Sequence, residues 1–179
     1  MNDAAMRDTD VLRDLLVDSF SRVRELVEQL TDGLDAAVAG YRPDAEANSV
    51  GWLLWHLSRV QDDHVADLAG TQQVWPAWRG RFALPFDDDA TGYGQGPEEV
   101  GQVRVSGELL AGYHADVHAM CLGYLQQVDG EELRRVVDQS WDPPVTASVR
   151  LVSVLGDALQ HLGQAAYVAG LAERAGLRR

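Results

Sequence analysis

From Asp10 to about Ala39, apolar residues recur every three or four positions, through Leu12, Leu15, Leu16, Phe20, Val23, Leu26, Val27, Leu30 and Leu34. This is the period of a helix with one buried face, and it predicts a single long first helix ended by Gly40 and Pro43. A second helix is predicted from Asn48 or Ser49, either of which can cap it, to about Leu68, with a stop at Gly70. Its apolar stripe holds Trp52, Leu53, Trp55, His56 and Val60. Residues 71 to 96 show neither helical nor alternating periodicity and read as a long loop, rich in tryptophan, proline and glycine and carrying Phe82, Phe86 and Tyr93. Loops of this length in a compact domain usually serve as functional covers or partner surfaces.

Pro97-Glu98-Glu99 reads as the start of a third helix, with proline in the first turn and acids at the positive end of the macrodipole. Its stripe of Val100, Val103, Leu109, Leu110, Tyr113, Val117, Met120 and Leu125 carries it to about Gln127. After a break at Gly130, a short helical piece from Glu131 to Val137 and a rigid extended Trp141-Asp142-Pro143-Pro144 segment lead to the last helix. Thr146 or Ser148 can cap that helix, which runs to about Arg174. Four long helices, one long crossover between the second and third, and no strong strand signal predict an all-α four-helix bundle. It forms one domain over residues 1–179, with a core from about 11 to 174.

The chain is long enough to bury a core without disulfides or a structural metal, so a metal here would serve function rather than folding. Cys121 is the only cysteine, which excludes an intramolecular disulfide and thiolate-rich zinc sites. All fifteen basic residues are arginine, which points to a GC-rich genome; against them stand 28 acids, for a formal charge of -13. Such a charge disfavours nucleic acid and anionic membrane as partners. Met1 to Asp10 has no apolar h-region, and no apolar run approaches the length of a membrane span, so a cytoplasmic protein is expected.

Asp157 and His161 stand four residues apart in Asp157-Ala158-Leu159-Gln160-His161-Leu162-Gly163-Gln164, one turn apart on one helical face. His56, apolar-flanked on the second helix, completes a two-histidine, one-carboxylate set if the helices face each other. The plain alternative is a core histidine and a solvated helical pair. Leu155, Leu159 and Leu162 place the pair among apolar residues, where a carboxylate needs a partner or a metal. Gly156 and Gly163 suggest a close helix approach. A rival set, His114, His118 and Cys121 on the third helix, is interrupted by Gly112 and Asp116 and reads as exposed or boundary, with Cys121 a small hydrophobe. Asp63 is a candidate to orient His56 or bind water, with a solvated acid as its default; most tryptophans read as packing, and Arg150 is a candidate for an anionic group, with a surface ion pair as its default.

Asn48 to Leu57, Thr91-Gly92-Tyr93-Gly94, Trp141 to Thr146 and Asp157 to Gln164 together resemble the DinB/YfiT-like superfamily, in an actinobacterial branch, over roughly Val11 to Arg174. The resemblance implies a four-helix bundle whose metal site has three histidines, one late in the second helix and two in a His-x3-His of the last. His56 matches the first ligand and His161 the last, while Asp157 replaces the middle histidine. It further implies a divalent metal, zinc or nickel, with the carboxylate shifting preference towards manganese or iron. Members include thiol S-transferases and isomerases that use mycothiol or bacillithiol, and many are dimers. The expected activity is metal-dependent transfer of a low-molecular-weight thiol to a small electrophile by a homodimer. The alternatives are a non-catalytic scaffold with a degenerate site and a hydrolase using the same metal.

Overall fold

The computed structural model describes residues 3–177. Met1 and Asn2, at the start of the segment read above as lacking a secretory signal, lie outside the described residues. Among the described residues the elements are α1 (Asp3–Thr31), α2 (Ala36–Ala39), α3 (Val50–Ala69), α4 (Trp75–Phe82), α5 (Pro97–Val100), α6 (Gly107–Leu125), α7 (Gly130–Arg134), β1 (Val136–Asp138), β2 (Val145–Thr146) and α8 (Ala147–Arg174). The fold is all-α, a bundle of α1, α3, α6 and α8, and no helix is long and apolar enough to cross a membrane.

Contacts between the long helices fix their directions. Arg13 of α1 donates to the Val128 carbonyl beyond the end of α6 (3.1 Å), while Thr31 packs against Gly107 at its start, so these two run antiparallel. Ser58 lies beside His114 and Gln61 beside Cys121, so α3 and α6 run parallel. His56 meets His161 and His64 meets Arg150, making α3 and α8 antiparallel. The order is up, down, down, up. The core has two clusters. One is built around Trp52 to Leu57, Tyr113 and Leu162; the other, at the far end of α3, is built around Phe20, Val65, Leu125 and Leu151.

The helix signals that proved reliable were chemical caps. Ser49 accepts from the Trp52 N–H and Thr146 from the Val149 N–H, each bond worth about 1 kcal/mol, and Gly70 closes α3 in the left-handed conformation. The periodicity overran at three places. The first helix does not reach Ala39: Gly33, at φ +64, turns the chain after Thr31, and Asp35 caps a separate turn, α2. Leu34 keeps the apolar rhythm because it is buried from within that turn.

The third helix is likewise two pieces, the single turn α5 and then α6, newly capped by Ser106. Gly107 is required there, since a Cβ would lie 2.6 Å from the Thr31 carbonyl oxygen. The residue 71–96 loop contains α4, whose Trp75, Trp78 and Phe82 are buried. The piece expected to be helical through Val137 ends at Arg134 and becomes β1, which pairs antiparallel with β2 in a two-stranded sheet that the sequence did not signal. Gly156 and Gly163 do not mark a helix contact: a Cβ at either would meet nothing within 4 Å.

Candidate metal centre

His56 sits mid-way along α3, buried, and α8 brings Asp157 and His161 against it. One ligating atom from each of the three lies within 4.8 Å of the others. The His56 and His161 rings meet edge to face with centroids 4.8 Å apart. Trp52, one turn before His56, stacks on it at 4.6 Å with planes only 11° apart, and its indole Nε1 donates to Gln95 Oε1 (2.8 Å). The imidazole is therefore held between an aromatic plate and its facing helix.

Hydrogen bonds at the remote nitrogens set which nitrogen each ring presents. His56 Nδ1 donates to the Thr91 carbonyl at 2.7 Å, and His161 Nδ1 to Gln164 Oε1 at 2.9 Å. Each ring is left with Nε2 for a ligand, the arrangement that usually supports a metal-bound histidine. His161 Nε2 lies 3.4 Å from Asp157 Oδ1, while Asp157 Oδ2 is buried without a protein hydrogen-bond partner. A buried carboxylate oxygen without a partner is costly, and beside two imidazoles it fits a divalent cation that displaces the proton His161 Nε2 shares with Asp157.

Electrostatics favour the ligating forms of His56 and Asp157, while at His161 they hold a proton that a metal would displace. Burial pushes His56 below the usual histidine range, with neighbouring His161 acting the same way against the Thr91 bond, so its lone pair is available at neutral pH. His161 is raised, first by its bond to Asp157 and against burial. Burial alone would raise Asp157, but the bond to His161 and the charges of His161, His56 and His64 outweigh it and hold the group low. The carboxylate is ionised, as a ligand must be.

A cavity of about 480 Å³ opens beside these residues, with Val60 and Val154 as apolar wall, and Asp63, His64, Ser153 and Thr91 as polar wall. Asp63 does not orient His56. It accepts from Gln73 Nε2 (2.7 Å) and lines the cavity instead. Arg150 is held near Asp138 (3.5 Å) and His64 (3.4 Å). Tyr93 stands at the rim, 93% exposed.

The rival constellation lies elsewhere and is not as expected. His114 and His118 are buried, at 1% and 3% exposure, rather than exposed or at a boundary. His114 Nδ1 meets Ser58 Oγ (3.1 Å), and burial, aided by His118 and Arg24, lowers its pKa to about 3. Gly112 and Asp116 do not interrupt the packing. They receive Trp78, whose ring fills the space a Cβ on Gly112 would need and whose Nε1 donates to Asp116 (2.9 Å). Among the described residues, only His56, Asp157 and His161 converge as a three-residue ligand set. Cys121 is a buried thiol pushed up to about 12 by desolvation, consistent with its reading as a small hydrophobe.

A family profile of the DinB superfamily matches residues 19–165. The chain belongs to the DinB superfamily. This superfamily includes metal-dependent enzymes, and both α3 and most of α8, with all three candidate ligands, fall within the matched span. A crystal structure of a conserved protein from Enterococcus faecalis is similar, at 35% identity and a TM-score of 0.81, covering 87% of this chain and 94% of that one. No curated protein matches. In this DinB chain the sequence pattern singled out the three candidate ligands that the fold brings together but gave no role to Thr91 or Gln164. Both lie inside segments that carried the family resemblance, and Thr91 acts through its backbone, which no side-chain pattern records.

Proposed function

We propose that the chain is a metal-dependent thiol S-transferase. In this reading His56, Asp157 and His161 hold one divalent cation, zinc or nickel before manganese or iron, and a low-molecular-weight thiol of the mycothiol type attacks a small electrophile in the adjoining cavity. The observation that carries it is that one ligating atom from each of His56, Asp157 and His161 lies within 4.8 Å of the others, with Asp157 Oδ2 buried and partnerless, beside a cavity of about 480 Å³. A divalent metal bound there supplies acidity that turns a coordinated thiol into a thiolate near neutral pH. Thr91 and Gln164 keep both imidazoles presenting Nε2. Val60 and Val154 exclude water from one wall, and Asp63, His64 and Ser153 offer polar partners for the substrate. The thiol itself is supported by the family resemblance, and the carboxylate in place of a third imidazole bears on which metal binds.

The same reading has the chain act as a cytoplasmic homodimer. Its support is the outer face of α8, where the exposed residues from Val149 to Tyr167, among them Val152, Leu159, Ala166 and Tyr167, are all uncharged in a chain that is 24% charged.

The deciding experiment is elemental analysis of protein purified without an affinity tag, beside His56→Ala and His161→Ala. One metal per chain, lost in both variants with helicity retained, is the expected result and leads to assays of thiol transfer. Absence of metal after reconstitution with zinc, nickel, manganese and ferrous iron would overturn the enzyme and leave a helical scaffold. Metal with hydrolysis but no thiol transfer would place a water where the thiol is proposed.

A further inference from the structure

The segment from Asp88 to Gln95 is a strap laid backwards along α3 and fastened to it by side chains in reverse order. The Asp88 carbonyl accepts from Trp75 Nε1 (3.0 Å) at the start of α4. The next two carbonyls, of Asp89 and Ala90, accept from Arg59 Nη2 (3.3 Å) and Nε (3.0 Å). The Thr91 carbonyl follows on His56 Nδ1, and Gln95 closes the strap on Trp52. Arg59, His56 and Trp52 are spaced three and four residues apart, so they share one face of α3.

Arg59 is fully buried, and its far side is as constrained as its near side. Nη1 reaches Gln73 Oε1 (3.0 Å), Tyr113 Oη (3.3 Å) and Asp62 Oδ2 (3.4 Å), and the guanidinium lies 5.0 Å over the Trp75 ring. Asp62, equally buried, accepts in turn from the Val74 and Trp75 N–H groups (2.8 Å each) and from Tyr113 Oη (2.8 Å). The guanidinium is thus locked by α4 and α6 before it touches the strap. An apolar side chain of the same size would pack there, and a buried ion pair is often replaceable in stability terms. It would not orient two successive carbonyls.

We propose that Arg59 is a positioning residue for the metal centre: by gripping the Asp89 and Ala90 carbonyls it aims the next one, that of Thr91, at His56 Nδ1, and so fixes the tautomer that presents Nε2. The inference rests on the metal reading above. It gives the buried Arg59–Asp62 pair a task beyond holding α4 in place, and it makes the strap part of the site. A carbonyl bonded to the far nitrogen of an imidazole fixes the orientation of that ring only if the carbonyl itself cannot swing.

The test uses the full chain in three forms: native, Arg59→Lys, and the double variant Arg59→Met with Asp62→Asn. Lysine keeps a cation beside Asp62 but cannot serve both carbonyls and the Asp62 side. The double variant removes both buried charges together, so neither is left unpaired. Nitrogen-15 correlation spectra report the tautomers of His56 and His161, and competition titration with Zn²⁺ reports affinity. The expected result is a single Nδ1–H tautomer at His56 in the native chain and mixed tautomers in both variants. Zinc binding should weaken by about 10- to 100-fold, and His161, held by Gln164, should be unchanged. Folded variants that keep the His56 tautomer and bind zinc within about twofold of native overturn the role of Arg59. A native chain that takes up no zinc, but whose His56 tautomer still follows Arg59, overturns the metal reading and retains the positioning role.

Discussion

Replacing Gly92 by alanine inserts one methyl group into the most crowded point of the strap. Gly92 adopts φ +94, where an L side chain is strained by about 1–2 kcal/mol. Its Cβ would lie 2.7 Å from His56 Nδ1, 3.0 Å from Trp55 Cζ3 and 3.2 Å from Trp52 Cζ2. None of these yields easily: Trp55 is fully buried, His56 is bonded to Thr91, and Trp52 is bonded to Gln95. Overpacking of this kind costs about 1–3 kcal/mol, so the total loss is about 2–5 kcal/mol. Gly94 is the internal control. It has φ +78 but nothing within 4 Å of its Cβ, so Gly94→Ala should lose only the backbone part, about 1–2 kcal/mol. Urea unfolding of both variants gives the difference, expected at about 1–3 kcal/mol. The relieving motion lifts the strap from α3, so Gly92→Ala should also weaken zinc binding while Gly94→Ala does not. Equal stability losses, or unchanged zinc binding in Gly92→Ala, would refute the reasoning.

Gly163→Ala, on an exposed helical face with an open Cβ position, should stabilise by about 0.5–1 kcal/mol in the same unfolding assay; a loss would mean the face is covered in solution. His114 protonates near 3 in the native chain but near 6.5 when unfolded, so stability should fall as pH drops through that interval. The lowered His56 and His118 act with the same sign. The His114 share reaches on the order of 4 kcal/mol by pH 3, and acid unfolding of His114→Gln should lack that part of the slope. Asp157→Asn removes the bond and charge that raise His161, so an NMR titration should show the His161 pKa falling; an unchanged value would remove Asp157 as its cause. Native Cys121 should resist iodoacetamide at neutral pH and react on unfolding, since its thiol is buried and held up to about 12.

The candidate ligands were legible because each is a polar residue at a helical spacing that points it inward. Asp157 and His161 share a face by arithmetic, and His56 interrupts an otherwise apolar run. Helix ends were legible where a side chain makes the cap, as at Ser49 and Thr146. They were illegible where a turn keeps the apolar rhythm, as at Leu34, or where the cap lies inside a run that still looks periodic, as at Ser106. Gly112 and Asp116 misled for a related reason: they look like flaws in a helix until Trp78 arrives from a distant segment to fill one and bond the other. Thr91 left no trace because its contribution is a carbonyl, common to every residue. The signal that could have found it is its neighbour Gly92, whose missing side chain admits the imidazole.

The two helices that carry the candidate ligands have consequences for how the chain is assembled. His56 and His161 are 105 residues apart, by subtraction of their numbers, and α4 to α7 lie between them. A nascent chain therefore carries only one of the three candidate ligands, His56, until α8 has been made and docked. Ion capture of the proposed kind cannot seed the bundle; it can only close on a finished one. A bound ion would accordingly act as a latch on the native state, slowing its opening while leaving the rate of folding almost untouched.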